Sequence, residues 1–221
     1  MKHIARIRTD FPEKFGIPRQ SGVVRSLTGK IIFEPEYRHP DALRGLEDFS
    51  HLWVLWEFSE MNSKGWSPTV RPPRLGGNRR VGVFATRSPN RPNPIGLSVV
   101  KIERIAQEPN CGTVIYVSGA DMLDGTPIYD IKPYIPYADC IPDAVGGFAD
   151  EVKDYSLEVD FPKELLEKIP PEKREALTEI LSGDPRPQYH NDEGRIYGMK
   201  FSDFEVKFKV QNGIIYVTDV E

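Results

Sequence analysis

Through the first two thirds of the chain, apolar residues come in short β-branched and aromatic runs, at 31–33, 52–58, 81–85, 97–105 and 113–118. Pro- and Gly-rich turns separate these runs before an amphipathic helix of about ten residues can begin, and runs bounded in this way read as strands. The one early helical candidate is short, at 40–46. The pattern predicts a mainly antiparallel, barrel-like sheet and opposes a doubly wound α/β domain. No G-x-G-x-x-G follows any of the runs, which removes the sequence ground for a Rossmann nucleotide fold.

After about residue 142 the texture changes. PDAVGGFADEVKD reads as a connection, and PKELLEKIPPEKREALTEILSG as two short helices. Pro162 and Pro171 suit first-turn positions, Pro170-Pro171 separates the two pieces, and Gly183 can close the second. Beyond them Phe204, Val206, Phe208 and Val210 alternate with Asp203, Glu205, Lys207 and Lys209, then meet Gln211-Asn212-Gly213 and resume as IIYVTDV. Period two around an Asn-Gly turn predicts a hairpin. The expected division is a β-rich domain at 1–142 and a small α+β domain at 150–221, with no internal repeat. A chain of 221 residues that is 39% hydrophobic can bury a substantial core.

Several function classes lose ground. No run approaches the roughly 18 apolar residues of a membrane span, and MKHIARIRTDF lacks the apolar region of a secretory signal. The expectation is a cytoplasmic protein with no membrane partner. Cys111 and Cys140 lie far apart without a C-x-x-C spacing, so they are expected as reduced thiols. His3, His39, His51 and His190 show no ligand spacing, and G-x-S-x-G and P-loop patterns are absent. Neither a bound metal nor a triad hydrolase is expected.

Charge is distributed unevenly. Residues 61–102 hold eight basic side chains (Lys64, Arg71, Arg74, Arg79, Arg80, Arg87, Arg91, Lys101) and no acidic one, in a chain of net charge −4. Folding needs no such split, so it builds a field aimed at an anion: a polyanion, or a ligand bearing phosphate or carboxylate. Most of these residues are arginines, whose planar fork grips phosphate bidentately and stacks on bases. Pro68, Pro72, Pro73, Pro89, Pro92 and Pro94 fix φ, and Gly76-Gly77 permit close approach, which argues for shaped loops. The competing readings are a solvated, proline-stiffened loop or a polyproline ligand for a partner domain. VGVFA and LSVV within the segment look like core strands and weigh against a linear motif.

IPRQSG, RGLEDFSHLWVLWEF, VRPPRLGG, VGVFATRSPNRPNPIGLSVV, DMLDGTPIYDIKPY and DPRPQY together resemble the TrmO family of tRNA methyltransferases, also called TsaA-like proteins. The resemblance spans essentially the whole chain; only 110–113 and 150–170 match no family motif. It implies a single-sheeted β-barrel with a small C-terminal α+β domain, acting as a homodimer. It further implies a SAM-dependent enzyme that methylates N6 of N6-threonylcarbamoyladenosine at position 37, in the tRNA anticodon loop.

Residue by residue, the resemblance places a cofactor site at Pro18-Arg19-Gln20, at Ser59-Glu60, at Arg87 with Leu97, and at Asp124-Gly125-Thr126-Pro127. The family commonly carries another pair at the Ser59-Glu60 position. Arg19 or Arg87 can pair with the SAM carboxylate, Glu60 or Asp124 can meet its ammonium or ribose, and Leu97 can cover the adenine. Asp124 or Asp130 can accept the proton that the attacking nitrogen releases, as can water. Arg71, Arg74, Arg79, Arg80 and Arg91 are expected on the anticodon-loop phosphates, and Asp184, Arg186 and Tyr189 on the modified base or the tRNA. Taken without the family, DGTP is an ordinary Asp-Gly turn and DPRPQY a post-helix stop. Trp53 and Trp56 allow a base-stacking or sulfonium-contact reading, but they fall on opposite faces of a strand and the competing reading is core packing of at least one, while His51 reads as a hydrogen-bonded structural group. The rival functions are a barrel that binds RNA or SAM without turnover, and an interaction scaffold with the proline-rich loop as its ligand.

Overall fold

The computed structural model describes residues 1–60, 66–72, 79–186, 192 and 194–221. Six strands form one antiparallel sheet that closes on itself: β1 (Ala5–Arg8), β2 (Thr28–Phe33), β3 (His51–Glu57), β6 (Ile95–Glu108), β7 (Gly112–Ser118) and β8 (Pro127–Pro133). The neighbour order is β1-β2-β7-β6-β3-β8, and β8 returns to β1 through Ala5↔Ile128 and Arg6↔Pro127. Closure leaves no unpaired edge to be covered. Alternation drives the packing, since successive side chains in a strand face opposite sides. β3 buries Leu52, Val54 and Trp56 in the interior, and β1 adds Ala5 and Ile7.

Between β3 and β6 a two-stranded ribbon stands apart, β4 (Thr69–Val70) with β5 (Val81–Gly82). The expected strand at 81–85 stops early here. Its second half is a turn of 3-10 helix, Val83–Ala85, which buries Val83 and leaves Phe84 72% exposed.

The C-terminal part builds a second sheet in the order β10 (Tyr197–Phe201), β11 (Phe204–Gln211), β12 (Ile214–Val220) and β9 (Glu158–Asp160), the last pairing parallel. The expected hairpin forms, with Asn212 and Gly213 at φ 52 and 75, the left-handed pair that a two-residue hairpin turn of this type requires. Of the two expected helices, α2 (Lys163–Leu166) is a single turn and α3 (Pro171–Ser182) is full length; they follow the one-turn α1 (Pro136–Asp139). Pro171 occupies the first turn of α3, which buries Ala176, Leu177, Ile180 and Leu181 against the sheet. Gly183 caps the helix with ordinary φ −69, and Asp184 takes the left-handed position at φ 50.

The two sheets share one segment. Residues 11–27 leave β1 and send Phe11, Val24 and Leu27 into the C-terminal core, beside Leu177, Met199 and Phe201. Lys173 pairs with Asp10, Ser26 Oγ donates to Glu179 at 2.5 Å, and Ser202 N donates to the Asp10 carbonyl at 2.6 Å. Gly22 donates to the Gly119 carbonyl at 2.9 Å, which ties the same segment back to the first sheet. No helix among the described residues is long and apolar enough to cross a membrane.

Candidate functional site

The shared segment, the ends of β3 and β6, and the turn 86–94 enclose a cleft of about 930 Å³. Local hydrogen bonding shapes the turn. Thr86 Oγ1 donates to the Val83 carbonyl and accepts from Ser88 N, Ser88 Oγ accepts from Asn90 N, and Arg91 Nη1 donates to the Thr86 carbonyl at 3.0 Å. Short polar side chains that satisfy successive backbone amides, with prolines fixing φ, make a stiff platform for Arg87.

Eight of the eleven residues expected to hold a cofactor line this cleft: Pro18, Arg19, Gln20, Ser59, Glu60, Arg87, Leu97 and Thr126. They come from five separate parts of the chain. Arg87 Nη1 donates to Gln20 Oε1 at 2.6 Å, and Arg19 reaches the Arg186 carbonyl at 3.4 Å. Glu60 is held by Lys14, which donates to its carbonyl at 2.6 Å and pairs with its carboxylate at 3.5 Å. Leu97, opposite Leu55 in the sheet, is 50% exposed.

Asp124, Gly125 and Pro127 do not line the cleft. The Asp124 carboxylate accepts from Arg8 Nη1 at 2.9 Å and from Thr9 N at 3.0 Å, while Gly125 N donates to the Ile7 carbonyl at 2.8 Å. Gly125 sits at φ 77, and Pro127 opens β8. The DGTP turn thus ties β1 to β8, and its contribution to the cleft is the buried Thr126. Asp130 is spent on Lys132, 3.0 Å away, and on the amide of Ile131, also away from the cleft.

A different carboxylate is in the cleft. Asp121, three residues before the turn, accepts from Ser98 Oγ at 2.5 Å, and Ser98 Oγ in turn accepts from Trp56 Nε1 at 2.9 Å. Burial pushes the Asp121 carboxyl up to about 6, against the pull of the Ser98 hydroxyl, backbone amides and the Arg87 charge. It is therefore mostly ionised near neutral pH, with a proton affinity close to the working range. Asp-Gly in DGTP is the louder signal nearby. The only local hint is that SGADML sets this aspartate among small and apolar residues.

Among the expected RNA-binding residues, Arg71, Arg79 and Arg80 flank the ribbon in exposed positions, and Arg91 borders the cleft. Arg186 also lines the cleft, but its guanidinium grips Asp184 with two bonds of 2.8 and 3.0 Å. Asp184 is 1% exposed and takes a further bond from Tyr155 Oη, so it is a packing anchor of the post-helix turn. Arg74 and Tyr189 lie outside the described residues. Trp56 is interior and Trp53 packs on Tyr134 on the other face; His51 pairs with Ser50 Oγ at 2.9 Å. No group of metal-ligating side chains occurs among the described residues.

Comparison with known proteins agrees with this geometry. The family described as the tRNA-methyltransferase O N-terminal domain matches residues 6–140, and the TrmO C-terminal domain matches 154–221. A tRNA (adenine(37)-N6)-methyltransferase of Escherichia coli (strain K12) is 43% identical over 217 residues, covering 95% of this chain and 92% of that protein. One of the same name from Eikenella corrodens is 47% identical over 173 residues, covering 78% of this chain and 97% of the other. The crystal structure of TrmO from Pseudomonas aeruginosa superposes with a TM-score of 0.77 at 34% identity, covering 99% of this chain and 97% of that one.

Proposed function

This chain belongs to the TrmO family, and from that premise we propose that it transfers a methyl group from SAM to N6 of N6-threonylcarbamoyladenosine at position 37 of tRNA. The observation that carries the proposal is the meeting of Arg19, Arg87, Glu60, Leu97 and Asp121 in one cleft beside the arginine-bearing ribbon.

The cleft fits the methyl donor in chemistry. SAM has a carboxylate for Arg19 or Arg87, an ammonium for Glu60, and an adenine face for the half-exposed Leu97. It supplies an electrophilic methyl group. The protein's task is to hold the acceptor nitrogen against that carbon at a near-attack distance of roughly 3–3.5 Å, and to take the proton that the nitrogen sheds. We assign the second task to Asp121, whose carboxylate is already fixed by Ser98 and faces the cleft. Asp124 and Asp130 are engaged elsewhere. We read the closed sheet as a single-sheeted barrel within a 1–142 unit, and 150–221 as a second unit that clasps residues 11–27. Homodimeric assembly and a cytoplasmic location complete the reading.

Purified protein with labelled SAM is expected to methylate tRNA bearing threonylcarbamoyladenosine and to leave tRNA lacking that modification unlabelled. Equal labelling of both would refute the substrate assignment, and binding without any gain of one methyl in mass would reduce the protein to a binding module.

The charges should also partition between ligands. Arg87→Ala is expected to weaken SAM binding by about 10- to 100-fold, the loss of a charge-assisted hydrogen bond, and to leave tRNA affinity nearly intact. Arg79→Ala with Arg80→Ala should do the reverse. Calorimetry with each ligand separates the two; parallel losses for both ligands would dissolve the partition.

A further inference from the structure

Next to the cleft two aromatic side chains stand in water. Trp66 is 52% exposed and Phe84 72% exposed, with ring centroids 6.3 Å apart and planes inclined by 25°. Rings of this size normally gain burial free energy in the core, and a pair left together on the surface marks a binding position. The ribbon explains how they are held. Thr69↔Gly82 and Val70↔Val81 pair, and Val83 N donates to the Pro68 carbonyl at 3.0 Å. This register sets Trp66 and Phe84 at one end of the ribbon and Arg71, Arg79 and Arg80 at the other.

Arg91 joins the aromatic end to the cleft. Its guanidinium lies 5.9 Å from the Phe84 centroid, and the same side chain borders the cleft. Among the described residues, no carboxylate forms an ion pair with Arg71, Arg79, Arg80 or Arg91. Exposed π-faces beside uncompensated guanidiniums form the two-part surface that unstacked nucleotides require: rings for bases, cations for phosphates.

We propose that Trp66 and Phe84 form a stacking ledge for an unpaired nucleobase of an RNA loop, while Arg71, Arg79 and Arg80 hold the adjoining phosphates. This rests on the tRNA reading above and names the surface that delivers the loop to the cleft. A second copy of the chain is the disfavoured occupant, because a two-fold contact through this face brings like charges together.

Salt dependence separates stacking from charge. Phosphate contacts release counterions and set the slope of log affinity against log salt, whereas stacking changes affinity at constant slope. Binding of an unmodified tRNA transcript is measured at several salt concentrations for Trp66→Ala, Phe84→Ala, Trp66→Phe and the Arg79→Ala/Arg80→Ala double variant. The two alanine variants are expected to bind roughly 5- to 100-fold more weakly with unchanged slope, and Trp66→Phe to stay within about threefold of the parent. The arginine variant should lose about 0.7 of slope per phosphate contact removed. Unchanged SAM affinity in the aromatic variants shows that they fold. Unaltered tRNA affinity in both alanine variants overturns the ledge, and so does intact affinity with an altered sedimentation coefficient, which assigns the patch to a second copy. If the parent methylates tRNA while the alanine variants bind normally, the ledge alone fails. If the ledge variants lose binding while the parent transfers no methyl, the enzyme reading fails and the ledge stands.

Discussion

Replacing Asp121 by asparagine is expected to lower the rate of methyl transfer by about 10²–10⁴, the usual worth of a positioned proton acceptor. Asparagine keeps the size and the bond from Ser98 but removes the basic lone pair. The SAM dissociation constant should stay within a few-fold, since Arg19, Arg87 and Leu97 are untouched. An equal rise in that constant and fall in rate would instead make Asp121 a cofactor ligand. In the parent enzyme the rate should fall with unit slope as pH drops through about 6, where the carboxyl takes its proton, and the asparagine variant should lack that limb.

Stability supplies an independent reading. The Asp121 carboxyl binds its proton more tightly in the folded than in the unfolded chain, where it has the ordinary value of 3.8. Its ionisation therefore costs stability progressively as pH rises from about 4 to about 6, and that cost persists unchanged at neutral pH. At low pH, with the group protonated in both states, the cost disappears. Asp121→Asn is expected to be more stable to unfolding than the parent at pH 7.5 by roughly 1–3 kcal/mol, with the difference shrinking toward pH 4, as denaturant unfolding at several pH values will report. A variant that is more stable yet nearly inactive places the carboxylate in function; one that is both inactive and less stable would mean that Asp121 holds the fold.

Gly96→Ala should be the most damaging small change in the sheet. Gly96 lies directly opposite Trp56, and a Cβ there would sit 2.1 Å from Cε2 of the indole. That ring cannot step aside cheaply: it is 6% exposed, packs on Phe58 at 4.2 Å, and donates to Ser98. Overpacking of this kind costs about 1–3 kcal/mol or more, which in a chain of this size lowers the melting temperature by about 2–10 °C. Displacing the indole also frees Ser98 and loosens Asp121, so activity should fall with stability. In the Gly96→Ala background Trp56→Leu is expected to cost less stability than it does alone, because the clash is gone, while activity stays lost; thermal melts and single-turnover rates of Gly96→Ala, Trp56→Leu and the double variant will report this. A Gly96→Ala protein that melts like its parent would contradict the close ring-to-backbone packing.

The strands most readily read in the sequence are those whose apolar residues serve burial. β3, β6 and β7 are rich in valine, isoleucine, leucine and tryptophan and lie within two residues of their expected starts; β6 runs three residues past its expected end. The strands that close the ring carry little such signal. ARIR in β1 is short and half charged, and PIYDIKP in β8 carries two prolines, an aspartate and a lysine. They close the ring by pairing with each other, Ala5 with Ile128 and Arg6 with Pro127, across a sequence distance that local periodicity cannot register. Phe84 misled in the opposite sense, because its apolar side chain faces solvent instead of the core. Around the cleft, Arg19, Gln20, Arg87 and Leu97 lie in segments that the family motifs mark. Asp121 is not singled out in this way, because its desolvation comes from tertiary packing around the side chain.

The path of residues 11–27 binds the fate of the site to a region remote from the chemistry. Arg19 and Gln20 belong to a strap whose apolar side chains are sunk in the C-terminal core. Were the chain cut near residue 142, Phe11, Val24 and Leu27 would face water and the strap would lose its moorings. Heating that loosens the C-terminal sheet first should therefore abolish donor capture while the six-stranded ring is still closed.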